Sequence, residues 1–221
     1  MALVNVTAII VTRGDVDLLP ILASLPPTWE RIVWDNGPPT TYVYEDANDW
    51  RPDGVPGDVR DCAVYGRYSA TKYAKNEVIY VQDDDVIVSD PRVIYEAWRY
   101  RFLQGGDDNF VVCNMPPEFR HDFYVDHALV GFGAVFHRSL PWNTWGKLTA
   151  AFGDAGFPSD WAYEPSFLRT CDIPFTALNP RILVDVPKTD MPYANDETRM
   201  WKQPTHQAER ARMLDLVKQI A

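Results

Sequence analysis

Three consecutive carboxylates follow a short apolar stretch in the first half of the chain. Asp83, Asp84 and Asp85 come directly after Val78–Gln82, which is rich in β-branched and aromatic residues. This run predicts a strand buried on both faces, with the carboxylates at its C-terminal end. Adjacent carboxylates repel one another, so their negative charge favours a bound cation. A hard divalent cation such as Mg2+ or Mn2+ prefers oxygen ligands and would compensate this charge. Side chains alternate along a strand, so Asp83 and Asp85 are expected to face one ligand site and Asp84 the opposite side. The alternative interpretation is a solvated acidic turn.

The N-terminal residues predict the elements that would position this acidic strand. A strand is expected over Val4–Val11, followed by the turn Thr12-Arg13-Gly14-Asp15. A helix is expected next, with Asp17 as its N-cap and with Pro26 and Pro27 ending it. A second strand, Glu30–Trp34, leads into the turn signature Asp35-Asn36-Gly37. This order predicts a βαβ unit with a right-handed crossover and a parallel sheet, whose carboxyl edge binds ligands in open α/β folds.

The rest of the chain continues the alternation of strands and helices, without a repeat or a linker. Helices are expected at Arg60–Ala74, from Pro91 onwards, at Trp142–Phe152, at Trp161–Thr170 and after Thr205. Strands are expected at Tyr42–Tyr44, Phe110–Cys113 and Val130–Phe136, with one or two more in Pro174–Val186. The sequence therefore predicts a single α/β domain.

Composition limits the class of protein. The chain has 221 residues, 46% of them hydrophobic, which is typical of one globular domain. The formal charge of −10 argues against nucleic-acid binding over the whole surface. Cys62, Cys113 and Cys171 are odd in number and far apart, which favours reduced thiols without a metal role. No membrane span and no signal peptide are expected, so the predicted location is the cytoplasm.

Several short motifs, taken in order, resemble one enzyme family. They are Val6-Thr-Ala-Ile-Ile-Val-Thr-Arg, Val33-Trp-Asp-Asn-Gly, Gly66-Arg67, Gln82-Asp-Asp-Asp, Gly131-Phe-Gly-Ala-Val-Phe-His-Arg and Ser159-Asp160. Together they are similar to the GT-A-type glycosyltransferases, the family-two-like and exostosin-like members above all. The resemblance covers about residues 4–170. It implies a GT-A (Rossmann-like), mixed and mostly parallel sheet flanked by helices, with a nucleotide-sugar half at about 1–90 and an acceptor half at about 91–221 that includes the C-terminal helix.

The resemblance also implies roles for individual residues. The implied donor-binding residues are Thr12, Arg13, Asp35, Asn36, Arg67, Asp83 and Asp84. The implied metal ligands are Asp85 and Asp83, with His206 or Asp190 as a further ligand. The implied base is Asp160, with Asp154 as the second choice, and the acceptor site would use Gly133, Trp142 and Trp161, with Trp145 as a further aromatic. Plain structural roles remain open: a turn for Asp35–Gly37, a solvated helix position for Arg67, a helix cap for Asp160 and core packing for any tryptophan.

The expected activity is metal-dependent transfer of a sugar from a nucleoside-diphosphate sugar, with a UDP-sugar favoured, to a hydroxyl acceptor. The cofactor would be Mn2+ or Mg2+, and the acceptor a saccharide, a small molecule, a protein or a hydroxylated base in DNA. No protein partner is evident. Two alternative functions would also use carboxylates at the end of a strand. One is a metal-dependent nucleotidyltransferase, for which Thr12-Arg13-Gly14-Asp15 is a poor phosphate loop. The other is a sugar- or nucleotide-binding module, which needs no catalytic base.

Overall fold

The strand β1, Val6–Thr12, lies inside a sheet and is buried along its whole length. A computed structural model describes residues 5–36, 48–50, 62–121, 124–156, 165–192 and 199–220, with the backbone alone at 48–50, 153–156 and 165. The strands are β1, β2 (Glu30–Asp35), β3 (Asn48–Trp50), β4 (Val78–Asp83), β5 (Val86–Val88), β6 (Val111–Asn114), β7 (Ala134–His137), β8 (Arg181–Val184) and β9 (Lys188–Asp190). The α-helices are α1 (Leu19–Ser24), α2 (Gly66–Ser69), α3 (Pro91–Gly105), α4 (Leu140–Gly156), α5 (Pro165–Thr170), α6 (Asp172–Ala177) and α7 (His206–Val217).

The main sheet has the strand order β3-β2-β1-β4-β7-β6-β8 in the described part of the chain. Four of its six strand pairings are parallel, and β7 is antiparallel to both of its neighbours. The prediction of a mixed, mostly parallel sheet is confirmed. In a separate antiparallel pair, β5, which follows the acidic end of β4, is bonded to β9.

Two apolar layers cover the two faces of the sheet. One layer joins Ile9, Ile79 and Phe136 to side chains of α4–α7, and the other joins Ile10 and Tyr80 to side chains of α1 and α3. Alternate residues of β1 and β4 therefore pack on opposite sides, as expected for strands buried on both faces. Within the described residues, none of the helices has the length and apolar character needed to cross a membrane.

The first βαβ unit follows the sequence pattern. The N-cap of α1 is Leu18 and not the predicted Asp17, although Asp17 accepts a hydrogen bond from the backbone N–H of Leu19 (3.0 Å). The helix ends before the predicted pair of prolines. The helix predicted at Arg60–Ala74 is present over residues 63–73 as α2 flanked by two 3-10 turns. The strand predicted at Tyr42–Tyr44 lies outside the described residues, and β3 is at Asn48–Trp50.

One predicted strand is wrong in part. In Val130–Phe136 the first residues form a turn, and β7 begins only at Ala134, because Gly133 adopts a φ of +107° that a strand does not use. The prediction of one or two strands in Pro174–Val186 is confirmed by β8, whereas the first residues of that range belong to α6. Ile173, Pro174, Phe175 and Thr176 are all buried, and a short buried apolar run fits a helix as well as a strand.

Candidate active site

The acidic residues lie at the point in the sheet where the order of strand addition reverses, between β1 and β4. β1 pairs with β2 on one side and with β4 on the other, all three in parallel. Val11 is paired with Asp83, and Thr12 with Asp35, so the three carboxyl ends meet at one edge. This is the topological switch point at which open α/β sheets bind ligands. The residues predicted for the donor site at the ends of β1, β2 and β4 are therefore brought to one edge.

Asp83 is paired with the buried Arg67. The Arg67 guanidinium has no exposed surface, and it donates to Asp83 and, over 3.2 Å, to Asp172. The Tyr68 hydroxyl donates to the other oxygen of Asp172 (2.6 Å). Burial alone would lower the pKa of Arg67, but the two carboxylates raise it above its ordinary value. Arg67 is thus the centre of an Asp172–Arg67–Asp83 triad, and its nitrogens Nη1 and Nη2 are used by the protein itself.

The carboxylate of Asp83 lies against Gly131. The Asp83 N–H donates to the Gly131 carbonyl (2.9 Å), and a Cβ placed on Gly131 would lie 2.1 Å from Asp83 Oδ2. Burial raises the pKa of Asp83 above its usual range, although Arg67 opposes this shift. The side chain keeps 30% of its surface exposed. Asp83 is therefore a partly accessible carboxylate whose charge a cation would stabilise.

Asp84 turns to the opposite side and is only 4% exposed. Its Oδ2 accepts from the Thr12 hydroxyl (2.8 Å) and from the Arg13 N–H (3.3 Å), and its Oδ1 accepts from Arg199 (3.2 Å). Arg199 also donates to Asp15 (3.4 Å), which forms a second Asp–Arg–Asp triad. Burial raises the pKa of Asp84, while Arg199 and Thr12 lower it. Oδ2 of Asp84 therefore joins the turn after β4 to the end of β1, and Oδ1 joins the same turn to Arg199.

Asp85 is not part of the strand. β4 ends at Asp83, and Asp84 and Asp85 form a turn into β5, so strand alternation does not place Asp85 as the sequence predicted. The buried Gln82 side chain fixes this turn, since it accepts from the Tyr80 hydroxyl (2.6 Å) and donates to the Val86 carbonyl (2.7 Å). The Asp85 carbonyl accepts from the Met191 N–H (2.8 Å), and its side chain is half-buried.

The end of β2 is held by side-chain hydrogen bonds. Asp35 is buried, and the neighbouring Asn36 accepts from the Trp34 indole N–H (3.0 Å) and from the Cys62 N–H (3.1 Å). Asn36 also donates to the Ala63 carbonyl (2.8 Å). These contacts join β2 to the start of the residues that carry Arg67. Asn36 therefore has a structural use at this edge, whatever it contacts in a donor.

Other predicted site residues lie apart from the acidic turn or outside the description. Gly133 is packed against Ile94 and Tyr80, which fill the space that a side chain would need. Trp145 is buried in the core, and Trp142 is half-buried with the Lys72 ammonium 4.7 Å from its ring centre. The side chain of Asp154, and residues Asp160 and Trp161, lie outside the described residues.

The two options for a further metal ligand, His206 and Asp190, do not form a metal-binding set with Asp83 and Asp85. Asp190 lies opposite Val86 in the β5–β9 pair, next to the Asp85 turn, but its side chain is exposed. His206 is buried at the start of α7, which packs on α5 and α6, and Asp190 is exposed and paired with Lys188. Burial and Arg210 lower the pKa of His206. In the part of the chain that the structure describes, no three His, Cys, Asp or Glu side chains are grouped as a metal-binding set. The structure thus does not assemble the predicted Asp83, Asp85 and His206 set.

Sequence reasoning missed Arg199 and Asp172. Arg199 and Asp172 lie 115 and 105 residues from their partners Asp84 and Arg67, so no local spacing marks them. Gly131 did carry a signal, because glycines in a predicted strand indicate a close approach. The approaching group is the Asp83 carboxylate.

Solved structures show the same architecture. Glucosyl-3-phosphoglycerate synthase from Mycobacterium tuberculosis, in complex with Mn2+, UDP and glucosyl-3-phosphoglycerate, is 14% identical with a TM-score of 0.55, over 97% of this chain and 80% of that one. The mannosyltransferase PcManGT from Pyrobaculum calidifontis, in complex with GDP-Man and Mn2+, is 16% identical with a TM-score of 0.50. The match covers 95% of this chain and 64% of the mannosyltransferase.

The chain has the GT-A glycosyltransferase fold. The predicted fold class is thereby confirmed. No protein-family profile matches the sequence, and no curated protein sequence matches it. At identities of 14% and 16%, the structural similarity establishes the fold alone.

Proposed function

We propose that the protein is a metal-dependent glycosyltransferase that moves a sugar from a nucleoside-diphosphate sugar, with a UDP-sugar favoured, to an acceptor hydroxyl. One observation carries the proposal: Asp83 and Asp85 lie at the carboxyl end of β4, beside the turn after β1, at the switch point of the sheet. The GT-A fold supports it, as do the two structural neighbours, which were solved with Mn2+ and a nucleotide or nucleotide sugar.

The charges at this edge fit a divalent cation. Each Asp–Arg–Asp triad contains two carboxylates and one guanidinium, so each carries one net negative charge when ionised. Asp85 adds another carboxylate, whose charge acts on both Asp83 and Asp84. Mg2+ and similar hard cations are held by one or two protein carboxylates together with phosphate oxygens of the substrate. A site built from Asp83 and Asp85, completed by a diphosphate, therefore needs no third protein ligand.

The residues at this edge of the sheet would then have different roles in binding the metal and the donor. Asp85 and Asp83 would hold the metal, which supplies Lewis-acid stabilisation of the charge that develops on the departing diphosphate. Arg13 and Asp35 would contact the nucleotide, since Arg13 follows β1 and Asp35 is the last residue of β2 at this edge. Thr12, Asp84 and Arg67 would act on the donor indirectly, because their polar atoms already bind other side chains.

The acceptor half supplies the remaining proposed roles. An inverting transfer needs a carboxylate that takes the proton of the acceptor hydroxyl, and Asp160 is the proposed base, with Asp154 as the second choice. Trp142 and Trp161 are the proposed aromatic contacts of the acceptor, and Gly133 would act through the turn that it allows. The acceptor is proposed only as a hydroxyl compound, which includes saccharides, small molecules, proteins and hydroxylated bases in DNA.

A binding panel tests the donor and the metal together. Thermal unfolding is measured with UDP- and GDP-sugars and with nucleoside triphosphates, each with and without Mn2+, because a ligand of the native state raises Tm. We expect one nucleotide sugar to raise Tm only when Mn2+ is present. Asp85→Asn should abolish this shift, whereas Asp215→Asn, a matched change on the exposed face of α7, should preserve it.

Two outcomes would contradict the proposal. A shift with nucleoside triphosphates but with none of the nucleotide sugars would favour a nucleotidyltransferase. Donor binding without turnover, in the wild type and for every class of acceptor, would favour a binding module. If the wild type transfers sugar, Asp160→Asn tests the base: it should retain the donor-induced Tm shift and lose transfer.

A further inference from the structure

We propose that Arg199 is a positioning residue that fixes the acidic turn Asp83–Asp85 for metal binding. The inference rests on the proposed function, since the turn is taken as the metal site. Arg199 lies beyond the last strand, in the C-terminal part of the chain, 115 residues after Asp84. It joins three parts of the molecule: the turn after β1 through Asp15, the acidic turn through Asp84, and the residues leading into α7.

The role follows from the burial of Asp84. Asp84 is only 4% exposed, and its two oxygens receive the Thr12 hydroxyl, the Arg13 N–H and the Arg199 guanidinium. The two other donors are neutral, so Arg199 is the cation paired with this carboxylate among the described residues. A buried carboxylate that loses its paired cation is left with an uncompensated charge, and movement toward water would relieve that cost. Movement of Asp84 would displace its chain neighbours, Asp83 and Asp85.

The guanidinium geometry explains why this position holds an arginine. One nitrogen, Nη1, donates to Asp84 and the other, Nη2, donates to Asp15. A lysine ammonium is a single point charge that cannot match two separate carboxylates with a planar fork. The side chain of Arg199 is itself only 8% exposed, so the pairing is shielded from solvent. Arg199 thus couples the C-terminal segment to the geometry of the metal site without being a ligand.

The matched control is another arginine of the C-terminal region. Arg169 forms a two-fold ion pair with Glu209, through distances of 2.9 and 2.6 Å, and this pair connects α5 with α7. Arg169→Met therefore removes a comparable ion pair that does not touch the acidic turn. Both variants are expected to lower Tm, and only the Arg199 variant should change metal binding.

The experiment measures the Kd of Mn2+ in the full chain with saturating UDP, by electron paramagnetic resonance of the free ion, alongside Tm. We expect Arg199→Met to raise the Kd at least tenfold and Arg199→Lys to raise it less. Asp15→Asn should raise it two- to fivefold, because Asp15 only orients the guanidinium. Arg169→Met should remain within twofold of the wild type.

The failures are distinguishable. If the wild type binds Mn2+ and Arg199→Met binds it within twofold of the same Kd, the positioning role is overturned and the proposed function stands. If the wild type binds no Mn2+ with UDP or with GDP, both proposals are overturned. Should Arg199→Met fail to fold, Arg199→Lys and Asp15→Asn decide: a lowered Tm with an unchanged Kd in both would reduce Arg199 to a structural ion pair.

Discussion

The contact between Gly131 and Asp83 gives the sharpest test of the proposed metal site. A Cβ at residue 131 would lie 2.1 Å from Asp83 Oδ2 and 2.8 Å from its Cγ. Ordinary contacts between such atoms are well above 3 Å, so Gly131→Ala requires a movement of about 1 Å by the carboxylate or the turn. Asp83 has little room to give way, because its N–H is bonded to the Gly131 carbonyl and its other oxygen to Arg67.

The expected result of Gly131→Ala is a selective loss of function. Overpacking at a tight contact costs about 1–3 kcal/mol of stability. Displacement of a catalytic group by about 1 Å costs on the order of 100-fold in rate. We therefore expect a folded protein whose Mn2+-dependent donor shift is lost or strongly reduced, and whose kcat/KM for sugar transfer falls by about 100-fold.

Gly146→Ala is the control for the glycine change itself. Gly146 lies on the exposed side of α4, and a Cβ there meets no atom within 4 Å. This substitution should stabilise the protein by about 0.5–1 kcal/mol, because alanine favours a helix more than glycine does. It should leave Mn2+ and donor binding unchanged. If Gly131→Ala bound Mn2+ and donor as the wild type does, Asp83 would not be a metal or donor contact, and the reasoning would be refuted.

Three further predictions concern stability. Burial and Arg210 lower the pKa of His127 from 6.5 to about 3, so its contribution to stability is complete above pH 6.5 and is lost as the pH falls toward 3, by at most about 1.4 kcal/mol per pH unit. Urea unfolding at pH 7.5 and 5 should show that the free energy of unfolding changes less with pH in His127→Gln than in the wild type. An equal change in both proteins would contradict this prediction. Asn36→Ala removes the oxygen that accepts from the Trp34 and Cys62 N–H groups. The free energy of unfolding, measured with urea, should fall by about 1–3 kcal/mol. A decrease of less than about 0.5 kcal/mol would show that other acceptors replace Asn36. Trp145→Ala should cost about 3–5 kcal/mol because the ring packs on Tyr68 and Phe167; a raised acceptor KM with unchanged Tm would instead place Trp145 in the acceptor site.

Much of the fold could be predicted from local patterns. The βαβ unit and β4 have β-branched runs bounded by turn signals, and a run of this kind specifies its own strand. The pattern is less informative where local preference is weak. The buried apolar residues of α6 did not identify it as a helix, because periodicity alone does not separate a short buried helix from a buried strand.

The candidate site could be predicted only as far as its contiguous residues. Asp83–Asp85 are marked by their position after a strand, and Arg67 by a resemblance. The partners Asp172 and Arg199 are joined to them by tertiary contacts alone, across separations of 105 and 115 residues. The sequence indicated that the negative charge of Asp83–Asp85 requires compensating cations. It did not indicate that two buried arginines supply part of this positive charge.

These arginines change the argument for a metal without removing it. If Arg67 and Arg199 were each paired with one carboxylate, they would neutralise Asp83 and Asp84. Only the charge of Asp85 would then require a cation. Each arginine instead shares its charge between two carboxylates, Asp83 with Asp172 and Asp84 with Asp15. The edge therefore keeps an excess of negative charge, held in place by guanidinium groups that cannot lose their protons. An anionic turn held in this way fits the proposed divalent cation, to which a donor diphosphate would bring the remaining oxygen ligands.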